Sequence, residues 1–177
     1  SIPDTSYWCT WTNTVDVVRA ALASDAYEHT FYTGDGAPKY FDSQVILSGN
    51  QYHPETSFLL GVPAPTDAVD YADVSISGTA AGTLEDVTYF YTFANDDRHE
   101  GPPSPAPRNG SGNIIATCSR YPGQTVTINN LQAPPGGAYR WGANARKNVY
   151  RTSSAGGVKF VKSVAIGATT CVDDVLE

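Results

Sequence analysis

Methionine is absent from this 177-residue sequence, and cysteine and basic residues are scarce. The cysteines, Cys9, Cys118 and Cys171, form no Cys-x-x-Cys pair, so the spacing typical of a metal site is missing. Eleven Lys and Arg face eighteen Asp and Glu, giving a net charge of −7, and no basic cluster exceeds Arg146-Lys147. A phosphate backbone would repel such a chain, so we expect no binding to nucleic acid.

Long apolar runs are also missing. No segment approaches the roughly 18 consecutive apolar residues of a membrane span, and the N-terminus lacks the basic-then-apolar pattern of a signal peptide. We therefore predict no membrane insertion. The cysteines fit free thiols in a reducing cytosol, a bridge between Cys118 and Cys171, or a bridge to a neighbouring subunit.

The sequence frames of common enzymes are not present either. There is no Gly-x-Ser-x-Gly, no His-Glu-x-x-His and no papain-type cysteine box, and the three histidines are scattered. The acidic run Asn95-Asp96-Asp97 lacks the alternating ligand positions of a calcium loop. We expect no catalytic residue, no metal and no cofactor, and we interpret the acidic run as a solvated loop.

Tyrosine, threonine, valine, glycine and proline are plentiful, and the glycines and prolines fall between short apolar runs. This spacing is typical of an all-β sandwich or barrel. Residues 87–94 place aromatic or β-branched side chains on both faces of a strand, so both faces can be covered. This predicts a central strand of the core. The proline-rich residues that follow, up to 107, predict an exposed, stiffened arm.

Turn residues divide the rest of the chain into short predicted strands. Residues 15–22 fit a helix capped by Asn13 or a strand, and their β-branched side chains favour the strand. Extended segments are predicted at 28–33 and 39–47, and Pro63-Ala64-Pro65-Thr66 predicts a stiff linker. Seven strands follow, at 69–79, 86–94, 113–118, 124–131, 139–152, 158–166 and 169–173. This pattern predicts a smaller β region at 1–62, a linker at 63–68 and an immunoglobulin- or fibronectin type III-like sandwich at 69–177.

Eight residues are predicted to bind a partner or to lie in an interface, because they belong to two aromatic clusters or to the charged loop after residue 94. They are Tyr7, Trp8, Trp11, Asp97, Arg98, His99, Tyr139 and Trp141. The aromatic members fit either positions in a core or subunit interface, or platforms on which sugar rings stack.

Five segments, taken in order, resemble a recurrent part of the structural proteins of tailed-bacteriophage virions. They are FYTGDGAPKYFD (31–42), LLGVPAPTDA (59–68), YFYTFANDDRHEGPPSP (89–105), QTVTINNL (124–131) and NVYRTSSAGGVKFVKSVAIGATTCVDD (148–174). The resemblance implies a fibronectin type III-like domain after the proline-rich linker.

The resemblance also implies a function. It implies a structural, non-enzymatic component of the virion tail, neck or fibre region, assembled in the host bacterial cytoplasm with copies of itself and other virion proteins. The alternative is a module of a tail appendage that binds a host-surface glycan or receptor. Because such segments usually sit within longer chains, the resemblance implies that this sequence is a piece of one.

Overall fold

The structure is a computed structural model that describes residues 9–21, 28–48, 54, 56–113, 117–152 and 156–175. In these residues the fold is all-β, as predicted, with twelve strands in antiparallel sheets and a single six-residue α-helix. The chain divides into two compact units. The N-terminal unit consists of Ser1–Gly61 and Gly137–Arg140, and the C-terminal unit of Val62–Gly136 and Trp141–Glu177.

A four-stranded antiparallel sheet forms the N-terminal unit. Its strands, in spatial order, are β1 (Asp16–Arg19), β2 (Thr30–Thr33), β3 (Lys39–Phe41) and β4 (Phe58–Leu59). Strand β1 confirms the strand predicted within 15–22. The turn between β2 and β3 requires glycine, because a Cβ on Gly34 would overlap the carbonyl oxygen of Thr14.

The extended segment predicted at 39–47 is wrong beyond Phe41, because helix α1 (Ser43–Ser48) follows it. Asp42 caps this helix, and its Oδ1 accepts a hydrogen bond from the Val45 N–H at 2.8 Å. The Asp42 side chain is fully buried and pairs with Arg140. This ion pair, between residues 98 positions apart, compensates the burial of the capping carboxylate.

The C-terminal unit contains the other eight strands. They are β5 (Val74–Ser77), β6 (Glu85–Val87), β7 (Tyr89–Ala94), β8 (Cys118–Arg120), β9 (Thr125–Ile128), β10 (Arg146–Thr152), β11 (Val158–Ala165) and β12 (Cys171–Asp173). One sheet has the order β11-β10-β7, a second has the order β12-β9-β5, and β6 pairs with β8. Side chains of the two three-stranded sheets share one buried core, so this unit is a β-sandwich.

Several predicted strand bounds need correction. The strand predicted at 139–152 begins only at Arg146, because the carboxylate of Asp96 lies against Gly142 and accepts the Asn144 N–H at 2.6 Å. The prediction at 113–118 lies partly outside the described residues, and the described strand there is Cys118–Arg120. The prediction at 86–94 contains two strands, β6 and β7, and 69–79 contains a 3₁₀ turn, Tyr71–Asp73, before β5.

Residues 63–68, the predicted linker, belong to the C-terminal unit. Pro65 is buried, and the N–H groups of Thr66 and Asp67 both donate to Oε1 of Gln132, at 2.8 and 3.0 Å. Hydrogen bonds from its backbone N–H groups to the Gln132 side chain therefore hold this proline-rich stretch against its own unit.

The aromatic run 87–94 is central to the core, as predicted. Val87, Tyr89, Tyr91 and Phe93 are essentially inaccessible to solvent and pack with residues of β9, β10, β11 and β12. The three aromatic rings bury the largest apolar areas that single side chains offer. They account for the fixed position of β7 within the sandwich.

The exposed arm predicted after this strand is wrong. The N–H groups of Gly101 and Ser104 donate to the carbonyl oxygens of Phe93 and Tyr91, at 2.9 and 2.8 Å. The Tyr91 N–H donates in turn to the Ser104 hydroxyl at 3.2 Å. The segment therefore covers the edge of β7 that faces away from β10. Its prolines do not prevent this, because the donors, Gly101 and Ser104, are not prolines.

All three cysteines are free thiols in this structure, so Cys118 and Cys171 are not bridged. Burial raises the pKa of each thiol, and raises that of Cys171 to about 11. Thiols held in the protonated form are poor nucleophiles.

A cluster of buried charges centres on Asp173. Its Oδ2 accepts hydrogen bonds from the Tyr89 hydroxyl at 2.7 Å, Arg120 Nη1 at 3.0 Å and Arg151 Nη1 at 2.6 Å. All four side chains are buried. Burial, together with the hydrogen bond to Asp173, raises the pKa of Tyr89 far above its ordinary value. The carboxylate therefore joins β12 to β7, β8 and β10.

Replacing Asp173 by Asn is expected to reduce the free energy of unfolding by about 3–5 kcal/mol, because two buried guanidinium groups lose their counter-charge. Urea unfolding at neutral pH measures the loss. The matched control is Asp174→Asn, which removes an exposed ion pair to Lys162 and should change stability little. Equal losses in the two variants would contradict the role assigned to the cluster.

Lys147 is a second buried charge, on the central strand β10. Its Nζ donates to the carbonyl oxygens of Leu131 at 3.3 Å and Ala168 at 2.5 Å, and no described carboxylate pairs with it. Burial lowers the pKa of Lys147 to about 8. The ammonium group is thus less favourable in the folded protein than in the unfolded chain.

This burial predicts a pH dependence. Between about pH 8 and 10.4 the unfolded chain holds a proton on Lys147 that the folded protein has lost, so the stability of the wild type should rise relative to Lys147→Met. The rise should be at most about 1.4 kcal/mol per pH unit, measured as the difference between urea unfolding curves of the two proteins. Below pH 7 the difference should not vary with pH. A flat difference through pH 10 would contradict the prediction.

Candidate functional site

Strand β1 exposes apolar side chains on both of its faces. All four of its residues are exposed, and Val17 and Val18 retain 48% and 64% of their accessible surface. Successive residues of a strand point to opposite faces, so neither face of β1 is covered. One edge of β1 pairs with β2, and no strand in the described part of the chain pairs with the other.

An apolar groove of about 180 Å³ runs beside this strand. Its walls include Val17, Val18, Phe31, Tyr32 and Leu60, and Leu60 is half exposed. A strand that pairs with β1 would form backbone hydrogen bonds along the edge and could place side chains in the groove.

The charges of β1 are arranged symmetrically about its two valines. Asp16 precedes them and Arg19 follows them. Arg19 also lies 3.8 Å from Glu28, but both side chains are mostly exposed, so that ion pair is weak. If two copies of β1 pair in antiparallel fashion about a two-fold axis, Asp16 of each copy faces Arg19 of the other, and Val17 faces Val18.

A tight hairpin turn follows β7 in the C-terminal unit. The Arg98 N–H donates to the Asn95 carbonyl at 3.0 Å, and the Asn95 N–H donates to the His99 carbonyl at 3.0 Å. The His99 N–H donates to Oδ1 of Asn95 at 2.8 Å. Arg98 has a φ of 65°, the left-handed conformation in which glycine is usual at this position of a hairpin.

Arg98 stands beside a cleft of about 350 Å³ above the outer face of the β11-β10-β7 sheet. Polar side chains from the hairpin, the 142–145 turn, β10 and β11 line the cleft. They are Asn95, Arg98, Asn144, Arg146, Asn148 and Ser163. Two guanidinium groups and three carboxamides in one cleft can donate many hydrogen bonds to a polar, negatively charged ligand.

An aromatic ladder continues the same face next to the cleft. The Tyr150 ring lies 5.4 Å from Phe90 and 5.6 Å from Phe160, measured between ring centres. The Tyr150 hydroxyl donates to Oε1 of Glu100 at 2.7 Å, and Thr92 donates to the same oxygen. Burial and this hydrogen bond raise the pKa of Tyr150 to about 12. Burial alone would raise the pKa of Glu100, but hydrogen bonds from the side chains of Thr92, Tyr150 and Asn148 lower it below its ordinary value.

The structure separates the residues predicted as sites. Tyr7 and Trp8 lie outside the described residues. Trp141 is half-buried in the C-terminal unit, where its ring packs 5.9 Å from Phe93 and its Nε1 donates to Pro135 O at 2.9 Å. Tyr139 belongs to the N-terminal unit. Trp141 is therefore a partly buried residue that packs against the core.

Trp11 lies beside a second polar cleft, within the N-terminal unit. The cleft has a volume of about 340 Å³, and Tyr32, Asp35, Lys39 and Ser57 contribute to its walls. Trp11 packs 5.2 Å from Tyr32, whose hydroxyl donates to Ser57 at 2.8 Å, and Lys39 pairs with Asp35 at 2.9 Å. These polar side chains satisfy one another, which leaves the cleft few groups for a ligand.

The charged loop residues have different surroundings. Arg98 lines the cleft above the β11-β10-β7 sheet, whereas the backbone of His99 closes the hairpin and Asp97 is half-buried. Sequence reasoning missed Val17, Val18, Asn148 and Ser163. The symmetric charges of the Asp-Val-Val-Arg segment were a sequence signal that could have indicated Val17 and Val18. No sequence signal indicated that β10 pairs with β11 and brings Asn148 and Ser163 together.

No protein-family model, curated protein or solved structure matches this chain. The all-β fold does not by itself identify a function, so function has to be argued from the candidate sites. No helix in the described part of the chain is long and apolar enough to cross a lipid bilayer.

The conformation of Arg98 predicts an unusual mutational effect. Arg98→Gly should raise the free energy of unfolding by about 0.5–1 kcal/mol, because glycine adopts positive φ without the steric cost that other residues bear. Urea unfolding at neutral pH measures the gain. The control is Arg98→Ala, which keeps a Cβ and should give no gain. An equal gain in both variants would assign the effect to the charge instead of the backbone.

Proposed function

We propose that this protein is a structural component of a bacteriophage virion, in the tail, neck or fibre region, and that it acts by subunit assembly. The observation that carries the assembly proposal is the exposure of Val17 and Val18 on β1. The virion setting rests on the resemblance of the five ordered segments, and it places assembly in the host bacterial cytoplasm with other virion proteins. The occupant proposed for the β1 edge is a second copy of this chain.

Charge complementarity favours a second copy as the occupant. Antiparallel self-pairing sets Asp16 against Arg19 at both ends, whereas parallel pairing in register would set like charges together and is disfavoured. The contact is isologous, as is common in symmetric assemblies. The same charges discourage indiscriminate pairing of the edge with other strands.

The contact is small, and this determines how it would act. Full burial of a valine is worth about 1.5–3 kcal/mol, and these side chains are already partly covered. Association costs about 4–15 kcal/mol in lost translational and rotational freedom. A single β1 contact therefore gives a weak dimer, and stable assembly requires several contacts in one particle.

Charge exchange tests the self-pairing. Asp16→Arg and Arg19→Asp should each weaken self-association by about tenfold, because each homodimer then opposes like charges at both ends. A mixture of the two variants should recover association, since the arginine introduced in one variant faces the aspartate introduced in the other. Sedimentation equilibrium over a wide concentration range measures all three samples.

A matched pair of valines provides the control. Val18→Asn should weaken association, whereas Val158→Asn, at a valine of the C-terminal unit with the same 64% exposure, should not. A wild-type protein that stays monomeric at every concentration would overturn the proposed pairing. So would a mixture of charge variants that associates no better than either variant alone.

A further inference from the structure

We propose that the cleft beside Arg98 binds a saccharide that carries a carboxylate group, with Arg98 and Arg146 contacting the carboxylate and the carboxamides contacting ring hydroxyls. The site lies in the C-terminal unit and is independent of the β1 contact. The inference concerns the chemical class of the ligand, an acidic sugar such as a uronic or sialic acid.

Arg98 adopts a backbone conformation that is unfavourable for a residue with a side chain. A non-glycine residue in the left-handed conformation bears a steric cost that glycine avoids. The described residues offer no ion pair or hydrogen bond to the Arg98 guanidinium that would offset this cost, and its side chain is exposed. An unfavourable conformation without a compensating contact is typical of a residue retained for a ligand.

Hydrogen bonds within the unit already fix the groups around Arg98. Arg146 Nη1 donates to the carbonyl oxygens of Ala143 and Ala145, at 2.7 and 2.9 Å, which leaves its other N–H groups without a partner in the described part of the chain. The Ser163 hydroxyl donates to Oδ1 of Asn148 at 2.5 Å, and the Asn148 side chain also forms a hydrogen bond with Glu100, so its position is fixed. Binding would therefore immobilise few side chains beyond Arg98.

The turn that carries Asn144 is also held in place. Asp96 Oδ1 accepts the Asn144 N–H at 2.6 Å, and the Ala145 N–H donates to the Gly142 carbonyl at 3.1 Å. A Cβ on Gly142 would overlap the Asp96 carboxylate, so this close approach requires glycine. These contacts hold the 142–145 turn, which contributes Asn144 to the wall of the cleft.

The chemistry of the lining identifies the ligand class. Guanidinium groups bind carboxylates through paired hydrogen bonds, and carboxamides match the donor and acceptor pattern of sugar hydroxyls. The neighbouring aromatic ladder can contact the apolar face of a sugar ring. The net charge of −7 repels polyphosphates and nucleic acids, which carry many negative charges, more strongly than a sugar with a single carboxylate. A volume of about 350 Å³ lies within the range of small-ligand pockets.

NMR titration of the isotope-labelled full chain tests the proposal. The probes are galacturonic acid, glucuronic acid, N-acetylneuraminic acid and trigalacturonic acid, with maltotriose as the neutral saccharide and tetraglutamate as the acidic peptide. We expect saturable shifts of the Arg98, Asn144 and Asn148 amides with at least one acidic sugar, with a dissociation constant of about 0.1–1 mM. Maltotriose and tetraglutamate should produce little change.

Variants of Arg98 separate a ligand contact from a structural role. Arg98→Gly should weaken acidic-sugar binding by about tenfold or more while the folded protein becomes more stable, and Arg98→Lys should keep part of the binding. Sedimentation of Arg98→Gly should match that of the wild type, which distinguishes this site from the β1 contact.

Four results would overturn the proposal. They are no shift with any acidic sugar, equal binding of maltotriose, equal binding of tetraglutamate, and undiminished binding by Arg98→Gly. Equal binding of maltotriose would show that the carboxylate of the ligand does not contribute to binding. The third would identify the cleft as a site for acidic peptides.

Discussion

The carboxylate of Asp173 holds the C-terminal unit in one arrangement. It comes from β12 of one sheet and binds Tyr89 and Arg151 of the other, and Arg120 of the β6-β8 pair. The two arginines also donate to the carbonyl oxygen of Val175, so the chain just after β12 supplies the acceptors that one carboxylate cannot. Such a cluster adds less to net stability than an apolar core would, but any other packing of these strands leaves a charge buried without a partner.

The buried contacts of β10 also determine which of its side chains lie on the outer face of the sheet. Arg151, Val149 and Lys147 point into the core, so the alternation of the strand turns Tyr150, Asn148 and Arg146 outward. The buried contacts of the inner side chains therefore fix the outer row, which contributes to both the cleft and the aromatic ladder. Pairing with β11 then brings Ser163 against Asn148 and Phe160 against Tyr150. The side chains that line the proposed ligand site on this face therefore belong to strands held by buried contacts and strand pairing.

Periodicity predicted what depends on one strand at a time. The all-β class, the strand within 15–22 and the buried run from Val87 to Phe93 all follow from local alternation. Features that depend on distant partners were not predictable in this way. Helix α1 relies on a buried Asp42 that needs Arg140, and the segment containing Gly101 and Ser104 needs the free edge of β7. The prolines of that segment predicted an exposed arm, because the sequence of one segment does not show which strand edge it will cover.

Two features of the described residues, which our functional proposals use, break local rules with no contact that compensates them. A strand edge with valines exposed on both faces risks aggregation, and an arginine in a left-handed conformation forgoes the stability that glycine would provide. The buried charges of Asp173 and Lys147 are different, because each has hydrogen-bond partners within the core. The first two have no such partners in the described residues, which is why we propose a partner for each. The symmetric charges of β1 favour the proposed second copy as its partner, and the polar lining around Arg98 favours the proposed acidic sugar.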